Sequence, residues 1–122
     1  MGKFVIRLVN SGVKFDLRAS NGQNIATSEV YETRVACLRG LESVRKNAPK
    51  AKLEDRTQEL VRPATNPKFE IYQDRSGEYR FRLKARNGAI IAVSNGYTAK
   101  GSCLAGIESV RANAPDAEVE ET

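Results

Sequence analysis

Phe4, Ile6 and Leu8 recur at every second position, and Phe15, Leu17 and Ala19 do so again, this time with Lys14, Asp16 and Arg18 between them. A period of two predicts strands with one buried and one wet face. A third strand is expected over Gln23 to Ser28. The period then changes. Val35, Leu38, Leu41 and Val44 form a helical apolar stripe. Thr33 can cap its start, Asn47 suits its C-terminal cap and Pro49 ends it. A short strand, Ala51 to Asp55, follows.

The whole pattern occurs twice. Asn21 to Pro49 matches Asn87 to Pro115, and Phe15 aligns with Phe81 at an offset of 66. Roughly half the positions from there onward are identical, which marks an internal duplication. Phe4 aligns with Phe69 at an offset of 65, because Asp74-Arg75-Ser76-Gly77 replaces Asn10-Ser11-Gly12. Insertions are tolerated at hairpin tips, so a turn belongs there. The second copy then has strands at Phe69 to Gln73, around Phe81 to Ala85, and at Ala89 to Ser94. Its helix starts near Thr98 with Leu104, Ile107 and Val110 as its stripe, and its last strand is Ala117 to Glu121. Gly40 and Gly106 fall mid-helix at a cost of about 1 kcal/mol each, so the backbone there approaches the sheet or the partner helix closely. Glu42 with Arg45, and Glu108 with Arg111, read as weak exposed ion pairs.

The turn after the second strand can be argued from register. A two-residue Asn21-Gly22 loop would put Ile25 opposite Arg18, on the wet face. A three-residue loop, Ser20 to Gly22 with Gly22 in the left-handed region, pairs Leu17 with Ile25 and Phe15 with Thr27. In the second copy the same loop, Arg86 to Gly88, pairs Leu83 with Ile91 and Phe81 with Val93. Burial therefore favours three residues.

The chain reads as a single domain over 1–122, with one repeat over 1–56, a linker over 57–67 and a second repeat over 68–122. A unit of about 55 residues buries little surface. Its three-strand set also leaves open edges. The last strand of each unit is therefore expected to pair with the other unit. The linker carries Pro63 and Pro67 and is expected to be extended.

Composition narrows the functional classes. There are 20 Lys and Arg against 15 Asp and Glu, and no His. The excess lies in residues 1–62, with 12 cations and 7 anions, whereas residues 63–122 hold 8 of each. No apolar run approaches the ~20 residues that span a membrane, and the N-terminal segment lacks a signal-peptide core, so a cytoplasmic protein without membrane contact is expected. Cys37 and Cys103 occupy equivalent places and are expected to be free, buried thiols. Two Cys without His cannot build a four-ligand zinc site. There is no phosphate-binding glycine loop and no nucleophile elbow, and Ser28 and Ser94 have no base beside them. No catalytic residue, metal or cofactor is expected.

Two candidate surfaces remain. Arg80, Arg82, Lys84 and Arg86 share one side of a strand, and Lys14 and Arg18 extend the set into a basic sheet face. Such a face with aromatics binds single strands, though Tyr72 alone supplies the aromatic part, and pairing with Glu70 and Asp74 would neutralise it. Tyr31 and Tyr97 stand at matching strand-to-helix junctions, where a symmetric scaffold presents a patch twice. A non-enzymatic, protein-interacting domain is the first expectation and weak nucleic-acid binding the second.

The run Phe81-Arg82-Leu83-Lys84-Ala85-Arg86-Asn87-Gly88, with Ile91, Ser94, Tyr97 and Gly106-Ile107-Glu108-Ser109-Val110, resembles the YegP-like family of small prokaryotic proteins. In the first copy Asp16 replaces a basic residue and Leu41 an isoleucine. The resemblance implies an α+β fold of tandem β-β-β-α-β units forming one antiparallel sheet with helices packed on it. It also implies that last strands are exchanged between units, so that the chain is a fused pseudo-dimer and a monomer with an internal pseudo-two-fold. It implies no activity, cofactor, partner or catalytic residue.

Overall fold

Each copy folds as three meandering strands, a helix and a short strand. The computed structural model describes residues 2–122. The first copy comprises β1 (Lys3–Val9), β2 (Gly12–Arg18), β3 (Asn24–Thr27), α1 (Arg34–Asn47) and β4 (Lys52–Asp55). The second comprises β5 (Lys68–Gln73), β6 (Tyr79–Lys84), β7 (Ile90–Val93), α2 (Lys100–Asn113) and β8 (Glu118–Glu121). All eight strands form one sheet in the order β4-β5-β6-β7-β3-β2-β1-β8. The two copies meet at its centre, where Thr27 opposes Val93.

The last strands cross over. β4 of the first copy lies beside β5 of the second, with Leu53 against Phe69, and β8 lies beside β1, with Val119 against Phe4. Both pairings are parallel, so the sheet is mixed rather than wholly antiparallel. The helix carries the chain back across the sheet, and the strand after it runs in the direction of the other copy's first strand. Lys52 N–H donates to Pro67 O and Glu118 N–H to Gly2 O, each at 3.2 Å, anchoring the two crossovers alike. Both edge strands are short and charged, which blunts further strand addition.

The core lies between one sheet face and the helices. Phe4, Phe15, Leu17, Phe69, Phe81 and Leu83 are fully buried there, and Phe4 meets Phe15 edge-to-face at 5.7 Å. α1 packs on β2 and β7, and α2 on β6 and β3, so each helix straddles the boundary between copies. None of the helices is long and apolar enough to cross a membrane.

The hairpin loop is as expected, but other local expectations need correction. The loop is three residues long, since Gly22 N–H donates to Ala19 O and Ala19 N–H to Gln23 O, both at 2.9 Å. Gly22 and Gly88 both have φ of 85°. The register beyond the loop differs: Arg18 faces Asn24 but Leu17 faces Ala26, leaving Ile25 in a bulge. Phe15 is accordingly opposite Ser28, whose N–H donates to Phe15 O at 2.9 Å. Ile91 is bulged in the same way. The extra residue lets two consecutive side chains, Ile25 and Ala26, both reach the core.

The helical stripe is rotated. Cys37, Gly40, Leu41 and Val44 are buried and Val35 is exposed. Val35 lies roughly two and a half turns before Val44, hence on the opposite side. Gly40 approaches neither the sheet nor the other helix but the Tyr31 side chain, because a Cβ there would overlap the Tyr31 hydroxyl. At Gly106 the added atom would lie 2.6 Å from the Tyr97 hydroxyl oxygen and 3.1 Å from the Phe81 ring.

The caps differ as well. Thr33 caps α1, its Oγ1 accepting from Ala36 N–H at 3.1 Å, but the α2 cap is Ala99, not Thr98. The duplication places Ala99 at the capping position, and alanine offers no acceptor. Asn47 is the last residue of α1 rather than its C-cap, and its Nδ2 donates back to Ser43 O at 2.9 Å.

Candidate interaction surfaces

The face of the sheet away from the helices carries its charge. β6 presents Arg80, Arg82 and Lys84 there, and each is ion-paired. Arg80 Nε lies 2.7 Å from Asp74 Oδ2, Arg82 pairs with Glu70, and Lys84 lies 3.4 Å from Glu70. The Arg82 guanidinium also stacks over Tyr72, 4.7 Å from the ring centroid. Strand exchange adds a second carboxylate, since Glu54 on β4 faces Glu70 on β5. Lys68 bridges the two at 2.8 and 3.2 Å, and Arg56 reaches Glu54 at 2.7 Å. Ala64 N–H in the linker donates to Glu54 at 2.8 Å, so the linker is tied to this face.

Both carboxylates are buried and both stay ionised. The Lys68 ammonium, then the Ala64 N–H, hold Glu54 below its ordinary value despite burial. Burial pushes Glu70 up, but hydrogen bonds from Arg82 and Lys68 outweigh it and the net shift is downward. In the first copy Asp16 behaves likewise. Its burial is outweighed by Arg7, at 2.8 Å, and by the Thr27 hydroxyl, at 2.6 Å. Here β1 carries Val5 where β5 carries Glu70.

The expected basic residues are thus divided. Arg80, Arg82 and Lys84 form one neutralised cluster. Lys14 and Arg18 lie on β2, separated from β6 by β7 and β3. Arg86 sits in the β6–β7 loop, and among the described residues neither it nor Arg18 has an ion-pair partner. The partnership of Glu54, Arg56 and Lys68 was not read from sequence. The exchanged register of β4 on β5 is the signal that would have revealed it.

Tyr31 and Tyr97 are half-buried where each loop rejoins the sheet. Tyr31 exchanges backbone hydrogen bonds with Val13, at 2.7 and 2.8 Å, and stacks on Phe15 at 6.4 Å. Tyr97 exchanges the same bonds with Tyr79. Ser28 and Ser94 are buried, and their Oγ atoms accept from Phe15 and Phe81 N–H at 3.0 and 2.9 Å. They satisfy backbone groups. Among the described residues no group of three or more Cys, Asp or Glu is placed to hold a metal ion.

Comparison with known proteins agrees with this architecture. Residues 9–55 and 74–121 match the family model described as "Domain of unknown function (DUF1508)". A UPF0339 protein of Stutzerimonas stutzeri, from the 5′ region of the ptx operon, is 37% identical over 108 residues, covering 88% of this chain and 84% of that protein. A UPF0339 protein of Treponema denticola is 65% identical over 54 residues, 44% of this chain but 93% of that protein, so it corresponds to one unit. The solution structure of yegP from E. coli, a protein of unknown function, superposes with a TM-score of 0.81 at 30% identity, covering 99% of this chain and 92% of the other.

Proposed function

We propose, for a chain that belongs to the DUF1508 family of domains of unknown function, a non-catalytic role as a protein-interaction module that binds through one end of its first repeat. The observation that carries this reading is a difference between otherwise equivalent copies. Leu8, Val30 and Val35 are 78%, 41% and 58% exposed. They surround the β1–β2 turn and the start of α1. Leu8 pairs with Val13, which adjoins Tyr31, and Val30 packs beside Gly12. The second copy has Gln73, Gly96 and Gly101 at these positions. Leu8 also lines a groove of about 210 Å³, together with Ile6, Val13, Arg34 and Glu121. Burial of such side chains by a partner contributes about 25 cal/mol per Å², and contiguous exposed apolar groups mark interaction sites.

The test compares proteins retained from host lysate by the intact chain and by an L8Q/V35A variant. The variant is expected to fold and to lose its partner. An unchanged set of bound proteins would exclude this surface. The basic sheet face supports nucleic-acid binding less well, because its central cations are already paired. An oligonucleotide titration over a salt series separates the two readings, since phosphate-driven affinity falls steeply with salt.

A further inference from the structure

The apolar end of the first repeat also carries two carboxylates. Glu29 and Glu32 flank Val30, and both are exposed. Among the described residues neither has an ion-pair partner. The second repeat has Asn95 and Thr98 at these positions. The acidity and the exposed Leu8, Val30 and Val35 therefore belong to one repeat alone, although the fold is duplicated. The whole chain has a net charge of +5, so acid beside apolar side chains runs against its overall balance.

The loop that holds these carboxylates is fixed in place. Ser28 Oγ accepts from Phe15 N–H at 3.0 Å and donates to Glu29 O at 2.7 Å. Tyr31 exchanges backbone hydrogen bonds with Val13 at 2.7 and 2.8 Å, and Val13 opposes Leu8. Thr33 then caps α1, which puts Val35 in the first turn. Glu29 and Glu32 are thus held at the same end as Leu8, Val30 and Val35. A surface ordered in advance loses little freedom on binding. The nearby cations are directed elsewhere. Arg7 lies 2.8 Å from Asp16, a carboxylate on which Lys14 also acts, and Arg34 pairs with Glu121.

We propose that this end of the first repeat docks a basic amphipathic segment of a partner protein. Its aliphatic side chains cover Leu8, Val30 and Val35, and its lysines or arginines face Glu29 and Glu32. This rests on the same end being the docking surface proposed above. Apolar contact supplies most of the affinity, and the rim charges select the partner. A second copy of the chain fits less well, because a two-fold contact sets the carboxylates of the copies against one another. An anionic lipid surface is repelled by the same charges.

The test is a titration of the ¹⁵N-labelled full chain with two synthetic 14-residue peptides, followed by amide chemical shifts. Both peptides carry leucine at the same helical spacing; the remaining positions are lysine in one and glutamate in the other. The lysine peptide is expected to shift Leu8, Glu29, Val30, Glu32 and Val35 saturably and to leave Gln73, Asn95 and Gly101 in place. The glutamate peptide should not shift them. E29Q/E32Q should weaken binding of the lysine peptide roughly fivefold to tenfold, the worth of two exposed ion pairs. L8Q/V35A should abolish the shifts while the remaining spectrum is unchanged. Equal binding of both peptides, or undiminished binding by E29Q/E32Q, would overturn the basic partner while leaving the apolar docking surface standing. Shifts that survive in L8Q/V35A would remove the surface itself. The absence of a saturable shift with the lysine peptide up to ~1 mM, the weak limit for a specific contact, would also overturn the proposal. So would shifts of the same residues on concentrating the chain alone, which would assign this end to a second copy.

Discussion

One guanidinium nitrogen of Arg45, in the first copy, lies 2.9 Å from the carbonyl oxygen of Ala117, in the second. The same nitrogen donates to Pro115 O at 3.0 Å and Ala114 O at 3.3 Å. Arg111 returns the contact, donating to Ala51 O at 2.6 Å. Each guanidinium also lies over a core ring, Arg45 over Phe4 at 5.3 Å and Arg111 over Phe69 at 5.1 Å. These arginines fasten each helix to the loop that delivers the other copy's exchanged strand.

R45A should therefore destabilise the protein by about 2 kcal/mol, the range for hydrogen bonds to a charged group. Urea unfolding measures it. A loss under about 0.5 kcal/mol would match the exposed Glu42–Arg45 pair that the sequence suggests and would contradict the clamp.

G40A should also destabilise, by about 1–3 kcal/mol, because the new methyl meets the Tyr31 hydroxyl and ring. With the tyrosine removed the sign should reverse. In a Y31A background G40A should gain about 1 kcal/mol from helix propensity. A double-mutant cycle by thermal unfolding reads this coupling, and additive effects would argue against the contact.

The buried Glu54 and Glu70 give the fold an acid dependence. Their carboxyls are held below the ordinary range in the folded chain. The unfolded chain thus takes up protons first as pH falls. The stabilisation is complete above the ordinary carboxylate range and is lost below it. E54Q should lower stability by about 2 kcal/mol at neutral pH, because it removes the charge-assisted hydrogen bonds to Glu54 and leaves Lys68 and Arg56 to share Glu70 alone. It should also flatten the slope of stability against pH below about pH 5. Parallel acid limbs for the two proteins would count against the network.

Cys37 and Cys103 are buried and unpaired. Burial pushes both thiols up, Cys103 to about 11. A thiol reagent at pH 8 should label the folded chain at least a hundredfold more slowly, roughly, than the denatured chain. Equal rates would show that the helices do not shield them.

Much of this fold was legible because duplication doubled each signal. The alternation around Phe15 and Phe81, the glycine of each hairpin loop and the insertion at Asp74–Gly77 all point to structure through local chemistry. The bulge at Ile25 was not legible, because burying two consecutive residues breaks the alternation used to assign register. Val35 was misplaced because steps of three residues drift around a helix, while Cys37 and Gly40, the true inner positions, carry little apolar weight. The carbonyl partners of Arg45 and the Lys68 and Ala64 partners of Glu54 follow from contacts between distant segments.

The strand exchange makes both halves parts of one fold, and sedimentation of residues 1–56 alone tests that most directly. Without the second copy, β4 has no β5 to join and β1 lacks β8. Two such fragments can each supply the other's missing strand. The expected result is a dimer that dissociates and unfolds together. A monomer that unfolds cooperatively by itself would contradict it.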